Sequence, residues 1–133
     1  MAGEAVQVVT TDADVVAARQ RGRLIAAQVG FSVGDQTVIA AAISELARNI
    51  LLYARHGEIV LEPIKSGDRV GIKVIARDSG PGIKDVSKAL MDGFSTSGGL
   101  GLGLPGARRL VDEFEITSAP GKGTVIVMQK WKP

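Results

Sequence analysis

The spacing of hydrophobic positions changes along the chain, and each change marks an element. Val6, Val8 and Thr10 alternate with Gln7 and Val9, a period of two that predicts a short first strand. Thr11 or Asp12 then offers a helix N-cap, and from Ala13 to Val29 the apolar positions Val15, Val16, Ala18, Ile25, Ala26 and Val29 share one side of a helix. Gly30 suits the left-handed position that stops it. Ser32, with Asp35 three residues on, resembles a capping box. Behind it Val38, Ile39, Ala42, Ile43, Leu46, Ala47, Ile50 and Leu51 hold a 3.6-residue stripe, so a second helix is predicted over about Gly34 to Ala54.

Two β-rich segments follow, Glu58 to Lys65 and Arg69 to Arg77, joined by Ser66-Gly67-Asp68, a good hairpin turn. Pro105 fits the first turn of a helix running to about Glu113. Phe114 to Ser118 and Thr124 to Lys130 then read as two strands around the Pro120-Gly121-Lys122-Gly123 turn. The order is β, α, α, β, β, a loop region with a short helix, then α, β, β. It predicts an α+β fold, a two-layer sandwich with helices on one face of a mostly antiparallel sheet. With 133 residues and 45% hydrophobic content, a single domain over residues 1–133 is expected.

Composition removes several chemistries. The chain has no cysteine, which excludes disulfides, thiolate zinc sites and thiol nucleophiles and points to a reducing compartment. His56 is the lone histidine, most simply a loop residue or a helix C-terminal charge, and cannot build a multi-histidine metal site. A net charge of +2 is too small an excess to point to nucleic acid. No apolar run approaches the roughly 20 residues that span a bilayer. Met1 to Gln7 carries no Lys or Arg ahead of an apolar stretch, so no membrane or secretory segment is expected and the cytoplasm is the expected location.

Glycine changes the picture. There are 17, about 13% against an ordinary 7%, and eight of them fall between Gly80 and Gly106. Gly93-Phe94-Ser95-Thr96-Ser97-Gly98-Gly99-Leu100-Gly101-Leu102-Gly103-Leu104-Pro105-Gly106 leads straight into a predicted helix. Such a run can wrap phosphates with backbone N–H groups while the helix N-terminus adds a favourable dipole. It is not a Walker loop, because no Gly-Lys-Ser or Gly-Lys-Thr follows, and it lacks the preceding strand of a dinucleotide fingerprint. Leu100, Leu102 and Leu104 argue against a purely solvated tether.

Four further places carry polar chemistry. Glu45 and Asn49, four apart on the second helix, share one strip with Ser44 and Arg48, away from the Ile43, Leu46, Ile50 stripe. If a nucleotide lies over that strip, the amide carbonyl of Asn49 can ligate Mg²⁺ and Glu45 can accept a proton from an attacking hydroxyl or water; on spacing alone a solvated helix face is the simpler account of the pair. Asp78-Ser79-Gly80-Pro81-Gly82 closes a β-rich segment. An ionised Asp78 can take an amino hydrogen of adenine while Gly80 and Gly82 let the backbone come close, although an ordinary turn has the same composition. Thr124 opens the last strand and can offer a hydroxyl, and Arg19 and Arg23, four apart on the first helix, can meet an acidic partner surface; a plain strand former and a solvated helix face are the competing explanations.

Taken in order, Glu45 to Asn49, Asp78 to Gly82 and Gly98 to Gly103 resemble the three motifs of the Bergerat-type ATP-binding fold of gyrase, Hsp90 chaperones, histidine kinases and MutL, in its small serine/threonine kinase form. Within that superfamily Glu45-Leu46-Ala47-Arg48-Asn49 and the run Gly93 to Gly106 are similar to the stressosome switch kinases that act with STAS-domain partners. The resemblance implies phosphorylation by Mg²⁺-ATP of Ser or Thr on STAS-domain scaffold or antagonist proteins. It also implies that the released kinase binds the regulatory region of a PP2C-type phosphatase and activates it. By the same resemblance Glu45 is the general base, Asn49 the metal ligand and Asp78 the adenine reader shaped by Gly80 and Gly82, with Ser95, Thr96, Gly98, Gly101 and Gly103 forming lid and phosphate cradle. A histidine kinase needs a dimerisation segment carrying its acceptor histidine, whereas His56 lies inside the ATP-binding unit, so autokinase activity is not expected. The transducer domain that gyrase-like and chaperone ATPases use is not expected here either. The alternatives are an anti-sigma factor kinase and a nucleotide-gated binding module without phosphoryl transfer.

Overall fold

A computed structural model describes residues 4–82 and 103–133. The first described element is strand β1 (Ala5–Val9), which ends because the N–H groups of Thr10 and Thr11 turn to the Asp14 carboxylate, at 2.8 and 3.1 Å. Helix α1 (Asp12–Val29) starts there, with Thr11 as N-cap and Asp14 completing a reciprocal capping box, and stops at Gly30 in the left-handed conformation, φ 106°. Helix α2 (Val33–Tyr53) is capped by Ser32, whose hydroxyl accepts from the Asp35 N–H at 3.1 Å. The reciprocal box thus belongs to Thr11 and Asp14, and Ser32 with Asp35 supplies one of its two bonds.

Strands β2 (Gly57–Ser66) and β3 (Arg69–Asp78) form the predicted hairpin. Helix α3 (Gly103–Leu110), strand β4 (Glu113–Ser118) and strand β5 (Thr124–Trp131) complete the described elements. Pro105 sits in the first turn of α3 as expected. The helix ends at Leu110 rather than near Glu113, because the Asp112 N–H is drawn to the Gln129 carbonyl at 3.0 Å and Glu113 enters the sheet opposite Gln129. The short helix expected in the loop region lies outside the described residues.

The five strands form one antiparallel sheet in the order β1-β2-β3-β5-β4. Alternation sends Val9, Ile59, Leu61, Ile72, Val74, Ala76, Ile126 and Met128 to one face, where they join Val15, Ala18 and Ile25 of α1 and Ile39, Ile43, Leu46 and Ile50 of α2 in the core. On the opposite face Val8 and Val125 are exposed, so the α+β sandwich has its helices on one side. Gly22 lets the two long helices approach closely, since a Cβ there would meet the Ile43 side chain. Because β5 lies between β3 and β4, the end of β3 and the start of β5 are neighbours, with Asp78 opposite Thr124.

Candidate nucleotide site

Helix α2 carries the first motif. Its predicted polar strip divides on burial: Ser44 and Asn49 are buried, Glu45 is half-buried and Arg48 is exposed. A wholly solvated face is therefore excluded. The Ser44 hydroxyl returns to the Ala40 carbonyl at 3.0 Å, which satisfies it within the helix. Glu45 Oε1 meets Arg48 Nη1 at 2.8 Å, with the two side chains 18% and 48% exposed. Asn49 is 8% exposed, and its amide takes no hydrogen bond among the described residues. One turn from Glu45, it presents a hard oxygen donor of the kind Mg²⁺ accepts alongside phosphate oxygens. No group of three or more His, Asp or Glu able to hold a metal occurs among the described residues.

The second motif packs against the end of that helix. Asp78, half-buried at the end of β3, accepts from the Gly80 N–H at 2.9 Å and folds the loop back. A Cβ on Gly80 would lie 2.5 Å from the Ala54 Cβ and 2.8 Å from its Cα, so only glycine lets the loop rest on the α2 terminus. Gly82 has φ +78°, a left-handed conformation, and a Cβ there would run into the Ala119 carbonyl oxygen. The Gly121 N–H donates to the Pro81 carbonyl at 2.7 Å. The loop is thus clamped between α2 and the turn joining β4 to β5.

Thr124, 5% exposed, stands across from Asp78, and its hydroxyl lies 2.8 Å from the Ser118 hydroxyl, which also donates to the Gly123 carbonyl at 3.0 Å. The structure brings Glu45, Asn49, Asp78, Gly80, Gly82 and Thr124 onto three connected segments. Gly103 opens α3, whose buried Leu104 and Ala107 pack in the same core as α2. Ser95, Thr96, Gly98 and Gly101 lie outside the described residues. Arg19 and Arg23 sit apart on α1; Arg19 is half-buried, and Arg23 is exposed and donates to the Thr37 hydroxyl at 3.0 Å, tying α1 to α2. One neighbour, Ser118, and one contact, that of Arg48 with Glu45, were not part of the sequence reading. Ser118 left no local signal, whereas the Arg48 contact with Glu45 was readable as a pair three apart on a helix.

The histidine kinase-, DNA gyrase B-, and HSP90-like ATPase family matches residues 34–133. The chain is 54% identical to the serine/threonine-protein kinase RsbT of Bacillus subtilis (strain 168) over 123 residues, 92% of each chain. It is 34% identical to an anti-sigma F factor of Thermoanaerobacter sp. (strain X514), over 80% of this chain and 77% of that one. Among solved structures, the RsbU and RsbW domains of Rv1364c from Mycobacterium tuberculosis superpose with a TM-score of 0.64 at 23% identity, covering 99% of this chain and 34% of that one. The catalytic domain of histidine kinase ThkA superposes with a TM-score of 0.54 at 17% identity, covering 96% of both. These two structural likenesses bear on the fold alone.

Proposed function

Because the chain belongs to the histidine kinase-, DNA gyrase B-, and HSP90-like ATPase family and is a serine/threonine-protein kinase of partner-switching type, we propose that its substrates are STAS-domain scaffold or antagonist proteins. Released from them, it binds the regulatory region of a PP2C-type phosphatase and activates it, in a cytoplasmic stress-response switch. No helix among the described residues is long and apolar enough to cross a membrane. The observation that carries the nucleotide reading is the amide of Asn49, buried yet without a hydrogen bond among the described residues, one turn from Glu45 on the helix against which the Asp78 loop packs.

In the proposed reaction the acceptor hydroxyl oxygen bonds to the γ-phosphorus of ATP while the bond from that phosphorus to the β,γ-bridging oxygen breaks. ADP departs with the electron pair. Glu45 takes the hydroxyl proton on its carboxylate. Asn49 would hold Mg²⁺ through its carbonyl oxygen, and the ion would supply charge neutralisation on the phosphates. Asp78 accepts the adenine amino hydrogen, Gly80 and Gly82 keep the ring's approach open, and Thr124 lends a hydroxyl beside Asp78. By the family resemblance the lid and phosphate cradle would fall to Ser95, Thr96, Gly98 and Gly101, outside the described residues, and to Gly103 at the start of α3. Arg19 and Arg23 of α1, beside the exposed Val16 and Leu24, are the docking surface for the partner.

The test is intact-mass spectrometry of a co-encoded STAS-domain protein after incubation with this chain and Mg²⁺-ATP, beside Glu45→Ala. One phosphate adduct made by the wild type alone is expected. No adduct despite ATP binding, with partner binding intact, would replace phosphoryl transfer by a nucleotide-gated module. The likeness to anti-sigma F factors favours a second reading, an anti-sigma factor kinase, which capture of a sigma factor from a purified mixture would support.

A further inference from the structure

Glu45 and Asn49 set a problem for each other. A carboxylate one turn from an amide that ligates Mg²⁺ is itself a good magnesium ligand, and once on the ion it is no longer a free proton acceptor. With 3.6 residues per turn, positions three and four ahead of Glu45 lie on opposite sides of it, about 60° one way and about 40° the other. Arg48 is the residue three ahead and Asn49 the residue four ahead. Arg48 Nη1 holds Glu45 Oε1 at 2.8 Å, on the side away from Asn49.

We propose that Arg48 is a positioning residue that draws the Glu45 carboxylate away from the Asn49 side of the helix, keeping it as proton acceptor and out of the metal's coordination. The contact engages Oε1 and leaves Oε2 to face the incoming hydroxyl. Exposure fits this division, since Glu45 is 18% exposed while Arg48, 48% exposed, keeps much of its guanidinium in water. An ion pair with one partner in water adds little to stability, so its value here is geometric. The inference rests on the proposed roles of Glu45 and Asn49.

The experiment compares the wild type with Arg48→Ala, Arg48→Lys, Glu45→Ala and the Arg48→Ala/Glu45→Ala double variant. It measures phosphoryl transfer at saturating Mg²⁺-ATP and, separately, the Mg²⁺ dependence of ATP binding by calorimetry. In Arg48→Ala, transfer falls about tenfold or more, while half-maximal ATP binding shifts to lower Mg²⁺ as the released carboxylate joins the ion. Arg48→Lys recovers most of both. The shift vanishes in the double variant, because it needs the Glu45 carboxylate. Transfer at the wild-type rate in Arg48→Ala, or slower transfer with an unmoved Mg²⁺ dependence, overturns the inference. Full activity in Glu45→Ala sinks instead the assignment of the base, so the two failures are told apart.

Discussion

Asp78 shapes its loop with one carboxylate oxygen and, in the proposed site, keeps the other for adenine. Oδ1 takes the Gly80 N–H at 2.9 Å and shapes the loop, which leaves Oδ2 to read a ligand. Asparagine keeps the first contact through its own carbonyl oxygen but puts an amino group, a donor, where the second acceptor was. Asp78→Asn should therefore leave the fold largely intact and weaken ATP binding. Charge-assisted hydrogen bonds carry about 1.5–3 kcal/mol, so the loss should be roughly tenfold or more in Kd, measured by calorimetry. An unchanged Kd would remove Asp78 as the adenine reader. Asn49 is the complementary case, an amide 8% exposed with no partner among the described residues, whose loss by Asn49→Ala should also lower affinity for Mg²⁺-ATP. These two substitutions act on binding, whereas Glu45→Ala should act on transfer with binding retained.

At the scale of elements, each long helix is started by a short polar device, and that of α1 is open to a pH test. Asp14 Oδ2 receives the Thr10 N–H, the Thr10 hydroxyl and the Thr11 N–H at 2.8, 2.9 and 3.1 Å. The backbone bond from Thr10, then its hydroxyl, then Thr11 hold the Asp14 carboxyl below its ordinary 3.8. A folded-state value below the unfolded one favours the native state while the group is ionised. The contribution is thus complete above about pH 3.8 and fades as pH falls from there through the lower folded value. Asp14→Asn should lower Tm at neutral pH and converge on the wild type below that window, as followed by circular dichroism.

The same elements show what the chain discloses on its own. The helices and hairpins were legible because their apolar periods are long and clean and their ends carry Thr11, Ser32, Gly30 and the Ser66-Gly67-Asp68 turn. The end of α3 was overrun because what stops it is a contact with β5, distant in sequence. In the candidate site, the spacing of Glu45 and Asn49 was readable. The burial of Asn49 was not, since one polar residue on a helix looks the same whether the opening above it is solvent or a site. The apposition of Thr124 and Asp78 was hidden for a related reason: it follows from β5 pairing with β3, a strand order that local pattern does not specify.

Over the whole molecule, the proposed nucleotide site joins parts that chain connectivity leaves separate. Asn49 belongs to α2, Asp78 to β3 and Thr124 to β5, and the Gly80 loop packs between the α2 terminus and the β4–β5 turn. Those segments reach the core through Leu46 and Ile50, Val74 and Ala76, and Ile126 and Met128. A nucleotide bound across all three cannot stabilise one without the others. The chain should therefore unfold in one transition, as a single domain would, and saturating Mg²⁺-ATP should raise that transition whole. At 100 times Kd the linkage is about 2.7 kcal/mol. At about 3 °C per kcal/mol for a chain of this size, Tm should rise by about 8 °C. Glu45→Ala should keep the rise, because the base is not needed for binding, while Asp78→Asn and Asn49→Ala should reduce it at the same ATP concentration. Scanning calorimetry checks all four proteins. Two separable transitions, only one moved by ATP, would break the single-domain reading and confine the nucleotide's effect to part of the sandwich.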